Sequence, residues 1–385
     1  MLRAFCLTMT ILLLPLGYAS ADAPLNLGDN AALKYWQAFA QLPKFSDTEQ
    51  HKLNAEFLTM PMNAHAREIV ARADYALRMM HRASALPNCD WGLAYDEGIE
   101  LLLPHAQASR TLATLACLRA RIRFEDGHFH EGIEDVIDAM TVGRHVSMDG
   151  SLITLILDYG IEYRAGETVA LYLPKLSAEA IKGLKTRLAN LPSGQSPAEG
   201  MVFEEKAGLN WLIRKVKEQK DKESLLAFAN SFCSKQGDSP AQNRESGRAF
   251  VEKCGGTVEG VVKMAEELRP CYRLAAKLMA LPLDQFQKQF ELETRCLDGN
   301  PVFKTFFPAV SHLRRSVALA DVRRALLATA LDVQLDGPEA LKNHTDPVVG
   351  GPFELVPFEG GFELRSKFLQ ANDKPWVLVV GQRGK

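Results

Sequence analysis

The sequence predicts a mainly α-helical protein. Antiparallel helical hairpins form a helical-repeat-like bundle, and a small C-terminal antiparallel β-meander closes it. Three observations predict this class. Apolar residues recur at a period of about 3.6 residues over most of the chain. Proline and glycine fall where such runs start and stop. Near the C-terminus the period shortens to two on either side of Gly360-Gly361, a hairpin signature.

The first element is an export leader. Arg3 precedes an apolar run from Ala4 to Leu16, and Gly17-Tyr18-Ala19-Ser20-Ala21 supplies small residues before a cleavage point after Ala21. The run is shorter than the ~20 residues of a membrane-spanning helix. Residues 1–21 therefore read as a signal peptide, and the rest as an exported protein, periplasmic or extracellular, with no transmembrane segment after cleavage. The remainder suits one large or two ordinary domains. We divide it into a helical lobe over 22–192, a second over 198–335 and the meander over 336–385. A formal net charge of −2 carries no nucleic-acid footprint.

In the first lobe, Leu33, Trp36 and Phe39 share one helix face until Pro43. Ser46-Asp47-Thr48-Glu49 is a capping-box start. Ala66, Ile69, Ala73, Leu77 and Met80 make one stripe, ended by Leu86-Pro87-Asn88. Pro104 fits a first helical position. Its helix, the break at Gly127 and the helix carrying Ile133, Val136, Ile137 and Met140 predict an antiparallel hairpin. Ser151–Leu173 is apolar nearly all round at its start, which predicts a core position. Ser177–Leu191 is a further helix, and Ser193–Pro197 a joint between lobes.

In the second lobe, Glu199–Gln219 reads as one amphipathic helix and Phe232–Glu245 as loop. Val258, Val261, Val262, Ala265 and Leu268 form a stripe that Pro270 kinks or ends. Leu283–Leu297 and Pro308–Leu335 follow as helices. Phe353–Phe358, Phe362–Phe368 and Trp376–Val380 are the three strands, docked on the preceding long helix because an isolated hairpin is marginal in water.

Cys6 lies in the leader, which leaves Cys89, Cys117, Cys233, Cys254, Cys271 and Cys296. An even count in an exported chain favours disulfides. Neighbour pairing (89–117, 233–254, 271–296) is the expectation, with buried free thiols as the alternative.

Catalytic motifs are mostly absent, so no catalytic residue and no cofactor is assigned. Gly194-Gln195-Ser196-Pro197-Ala198 resembles a nucleophile elbow only in spacing; a helix precedes it and Pro follows the Ser, which suits a linker. His128, His130 and Glu131 are the one compact set of metal-ligand types, in a turn where solvated side chains are the simpler reading. Glu204-Glu205, Glu266-Glu267 and Glu134-Asp135-Asp138 are acid/base candidates, against solvated helix faces. Asp90 and Trp91, beside Cys89, are candidates for a binding loop, against a Trp that plugs the core.

Gly127-His128-Phe129-His130-Glu131-Gly132-Ile133, after Leu118-Arg119-Ala120-Arg121, resembles the inter-helix turn of a tetratricopeptide-like hairpin, with Gly132 where that family has Ala. The resemblance covers one hairpin; no second copy stands at a period of about 34 residues. More widely, Asn30-Ala31-Ala32-Leu33-Lys34-Tyr35-Trp36, Cys89-Asp90-Trp91-Gly92, Leu103-Pro104-His105 and Leu118–Arg121 resemble a group of exported bacterial helical proteins with no established activity. Asp346-Pro347-Val348-Val349-Gly350-Gly351-Pro352-Phe353 resembles their closing turn, which pseudopilin-like tails share. Asp336-Gly337-Pro338 replaces the G-x-Y-P that precedes that turn in pilin-like proteins.

These readings converge on a non-enzymatic exported scaffold that binds a protein or peptide partner at the cell envelope. An exported hydrolase, with or without a metal, using the His128/His130 region or an acidic cleft, is the alternative. A pilin-like surface component is the third.

Overall fold

The computed structural model describes residues 27–233, 240–370 and 372–383. The expected leader, residues 1–21, lies outside them. A 3₁₀ turn at Leu27–Asp29 leads to α1 (Ala31–Ala40), capped by the Asn30 side chain. Helix α2 (Asp47–Ala55) starts at the capping box of Ser46 and Glu49. The stripe from Ala66 to Met80 belongs to two helices, α3 (Ala64–Arg72) and α4 (Asp74–Ser84). The backbone steps out of helical geometry at Ala73, with φ −94° and ψ 1°. Helix α5 (Pro104–Glu125) opens on Pro104 and packs as a hairpin with α6 (Phe129–Ser147). Helix α7 (Leu152–Tyr172) lies against both, and α8 (Ala178–Ala189) follows Pro174.

The second lobe begins with α9 (Pro197–Glu204), which runs through a π turn at Glu205–Leu209 into α10 (Asn210–Lys217). The π turn sets the buried Glu205 against Arg269 and Arg273. Helices α11 (Lys222–Cys233) and α12 (Pro240–Lys253) pack together across residues that composition reads as loop. The polar run Phe232–Glu245 is helical at both ends because a few apolar positions, among them Phe232 and Phe250 with ring centroids 5.3 Å apart, anchor the pair. Next come α13 (Val258–Glu266) and α14 (Arg269–Leu278). Pro270 sits in the first turn of α14, where its missing N–H costs nothing. Helices α15 (Leu283–Thr294), α16 (Pro301–Phe306) and the long α17 (Pro308–Asp336) complete the lobe. Among the described residues no helix is long and apolar enough to cross a membrane.

The meander is antiparallel in the order β1 (Glu354–Phe358), β2 (Gly361–Leu369), β3 (Pro375–Gly381). Phe358 pairs with Gly361 across a two-residue turn, and Leu364 pairs with Leu378. The closing turn is pinned by Asp346, whose buried carboxylate accepts from Val348 N, Val349 N and the Ser366 hydroxyl of β2. The sheet rests on α7 as well as on α17.

Two apolar cores result. One joins α1 to α8 with the sheet and the later part of α17, through Val322, Leu326 and Leu331. The other joins α9 to α16 with the earlier part of α17, through Leu313, Val317 and Ala320, and with Leu155 and Tyr159 of α7. The lobes also meet at Gly98, whose φ is +58° and where any Cβ would lie 2.3 Å from the Trp211 ring. Only glycine admits that approach.

The expected disulfides are not formed: Cys89, Cys117, Cys233, Cys254, Cys271 and Cys296 are all free thiols. The buried four, Cys89, Cys117, Cys254 and Cys271, serve as small packing residues. Cys117, in the middle of α5, sits among Arg164 and Thr168 of α7, whereas Cys89 lies in a loop beside Tyr35. Cys296 is exposed while Cys271 is buried. Burial pushes the Cys117 thiol up to about 12, and those of Cys233, Cys254 and Cys271 up to about 11. Thiols held protonated in this way are poor nucleophiles for exchange.

Candidate functional site

Three of the sequence pieces singled out above meet in one place. Asn30 Nδ2 donates to Asp90 O at 2.9 Å, and Asp90 N donates to Asn30 Oδ1 at 2.9 Å. This fastens the Cys89–Gly92 loop to the start of α1. Trp91 turns inward and is 3% exposed. Its indole N–H donates to His145 O at 2.9 Å. Its ring stacks on Phe39 at 5.9 Å and lies 4.7 Å from the His105 ring. Tyr35 Oη and His145 Nδ1 lie 2.9 Å apart, and His105 Nε2 lies 3.0 Å from Asp149 Oδ2. Tyr35, His105 and His145 have no exposed surface. The Trp91 cluster therefore plugs the core between α1, α5 and α6. Asp90 stays exposed and caps its own loop through Gly92 N.

The metal-ligand types do not gather. His128, His130 and Glu131 are exposed in the α5–α6 turn, with the His130 side chain 84% exposed and near Glu134 only, at 3.8 Å. No group of three or more His, Cys, Asp or Glu among the described residues is arranged to hold a metal ion.

The acidic candidates are bound to cationic or polar partners. Arg119 and Arg123 clamp Asp135, while His81 and Ser84 hold Asp138. Glu134 pairs with Arg187. Glu205 is held by Arg269 and Arg273, Glu266 by Arg269, and Glu267 by Asn300 Nδ2 at 3.0 Å. Glu204 accepts from Leu152 N, and burial pushes its carboxyl upward. No two of these carboxyls are left free for acid–base work. Ser196 is a helix cap, accepting from Glu199 N at the start of α9. The joint is laid down on α6: Gln195 donates to Ser147 Oγ at 3.3 Å and to Gly150 O at 2.6 Å.

A feature that sequence reasoning missed is an open groove between α5 and α7. It has a volume of about 730 Å³ and is lined by Ala113 and Cys117 from α5 and by Ile153, Ile156 and Gly160 from α7. Ile153 is 65% exposed and Ile156 46% exposed. Arg110 and Arg164 line it too, and no acidic residue does. Arg164 is fixed over the Phe57 ring at 4.7 Å and donates to Leu53 O at 3.0 Å; Arg110 stands exposed. The all-round apolar start of α7 predicts full burial. Instead, α6, α9, α17 and β3 cover its other faces, and among the described residues no helix is laid over this one. Periodicity cannot distinguish an apolar face that is covered from one that lines a groove.

Comparison with protein-family models, curated proteins and solved structures gives no match.

Proposed function

We propose that this chain is a docking scaffold, and that its α5–α7 groove takes an acidic, amphipathic peptide segment of a partner protein. One observation supports this most: two neighbouring isoleucines of one helix face stand open to water in a groove with two cationic residues and no anionic one. Isolated exposed apolar residues need no explanation, but apolar residues grouped in a groove mark an interaction site. Two arginines in a lining that holds no carboxylate favour a negatively charged occupant. The leader-like N-terminal sequence and the resemblance to exported bacterial helical proteins, both expectations from the sequence, fit a partner at the cell envelope. The exported-hydrolase alternative needs convergent donors or a free acid–base pair, and nothing in the site favours it.

The test is fluorescence anisotropy with designed helical peptides that share one apolar face and carry either acidic or basic residues on the other. The acidic peptides should bind, more weakly as salt is raised. Ile153→Ser with Ile156→Ser should weaken binding at least about tenfold, the equivalent of ~1.4 kcal/mol. Arg110→Glu should reverse the charge preference. Equal binding of acidic and basic peptides, or binding unaffected by the isoleucine changes, would refute the proposal.

A further inference from the structure

We propose that the cavity where α7, α17 and β3 meet is a binding site for a small organic carboxylate, held by Arg323 and by the indole N–H of Trp376. The Arg323 guanidinium lies between two rings, 3.6 Å from the Tyr163 centroid and 4.8 Å from that of Trp376. Its Nε is buried and has no hydrogen-bond partner among the described residues, and neither has Nε1 of Trp376. Both residues line one cavity of about 30 Å³. A buried donor left unmade costs about 1–3 kcal/mol, so two around one small space point to a missing acceptor.

The neighbouring acids do not supply it. Glu162 is shared between Arg144 and Arg324, and Arg324 also takes Asp321. Glu167 attracts Arg323 electrostatically but stands beyond ion-pair distance of it. Among the described residues Arg323 is thus a part-buried cation that makes no ion pair, one position away from an arginine that makes two. Buried arginines are rarely left unpaired.

Size and charge narrow the class of ligand. A water needs roughly 10–15 Å³ of such space, so the cavity takes about two waters or one carboxylate head. Two N–H donors match the two oxygens of a carboxylate. With Glu162 and Glu167 in the wall, a doubly charged phosphate meets about twice the repulsion that a monoanion does. Tyr163 and Trp376 are part-exposed, which leaves a way out for the rest of the ligand.

The test uses the whole protein and acetate, with chloride at equal ionic strength as the control. Following the indole N–H signals by NMR, acetate should shift that of Trp376 saturably and raise the thermal midpoint, while chloride does neither. Trp376→Phe, which keeps the ring and loses the donor, should weaken acetate binding at least about tenfold. Arg323→Gln should abolish it. If Arg323→Gln does not fold, Trp376→Phe with the midpoint shift decides. A Trp376 signal that responds equally to acetate and chloride, or an acetate effect unchanged in Trp376→Phe, would overturn the proposal and leave the two donors to ordered water.

Discussion

Tyr35 and His145 hold each other 2.9 Å apart inside the first core, on α1 and α6, with no surface of either exposed. Burial pushes the His145 imidazole down to about 4. The folded protein therefore keeps it neutral, while the unfolded chain takes up a proton below about pH 6.5. Stability from this group is full above that pH and is lost as pH falls towards 4, by on the order of 3 kcal/mol at the limit. Asp158 works in the opposite sense. Its carboxyl is pushed up to about 6, chiefly by burial, so its contribution grows as pH falls below 6. Urea unfolding at about pH 7 and about pH 5 should show a smaller acid loss in His145→Asn and a larger one in Asp158→Asn. Identical pH slopes in all three proteins would contradict this assignment.

Adjacent positions of α7 should respond in opposite ways. Leu155 is fully buried in the second core, and Leu155→Ala should cost about 2–5 kcal/mol. Ile153→Ser and Ile156→Ser, at groove positions, should each stay within about 0.5–1 kcal/mol of the parent. Chemical denaturation of the three variants checks the contrast.

Gly132, where tetratricopeptide hairpins have Ala, is explained by its neighbour. A Cβ there would fall 2.4 Å from the Phe124 ring, itself buried against Phe129 and Tyr172. Gly132→Ala should destabilise the hairpin by about 1–3 kcal/mol despite the better helix propensity of Ala. Phe124→Leu in the same chain should recover part of that loss. A stabilised Gly132→Ala variant, read by its thermal midpoint, would contradict the packing.

The thiols should titrate in order of exposure. Cys296 should react first with a thiol reagent and Cys233 next. Cys89, Cys117, Cys254 and Cys271 should wait for unfolding. Rapid reaction of Cys117 in the native protein would contradict its place beneath the groove.

Much of the fold was legible because its signals are local. Pro104 and Gly127 bracket α5, Ser46 and Glu49 cap α2, and Gly360-Gly361 marks the turn of the meander. The misses are tertiary. The polar surface of α12 hides a helix that the packing of its apolar positions against α11 sustains. The step at Ala73 carries no glycine or proline to announce it. The site residues were least legible: Tyr163, Arg323 and Trp376 lie far apart in the chain and meet only when α7, α17 and β3 pack. Trp91 stood out in the sequence, and the core plug weighed for it there is the place it takes. Ile153 and Ile156 looked like core yet line a groove.

Helix α17 serves both cores along its length, Leu313 and Val317 in one and Leu326 and Leu331 in the other. Its hydrogen-bonded spine makes the two halves share one fate on heating. Loss of either oily interior strips one end of that spine, and fraying then spreads to the other. A single cooperative melting peak in calorimetry follows, and a chain severed at Ser193–Pro197 should yield fragments that fold only when mixed.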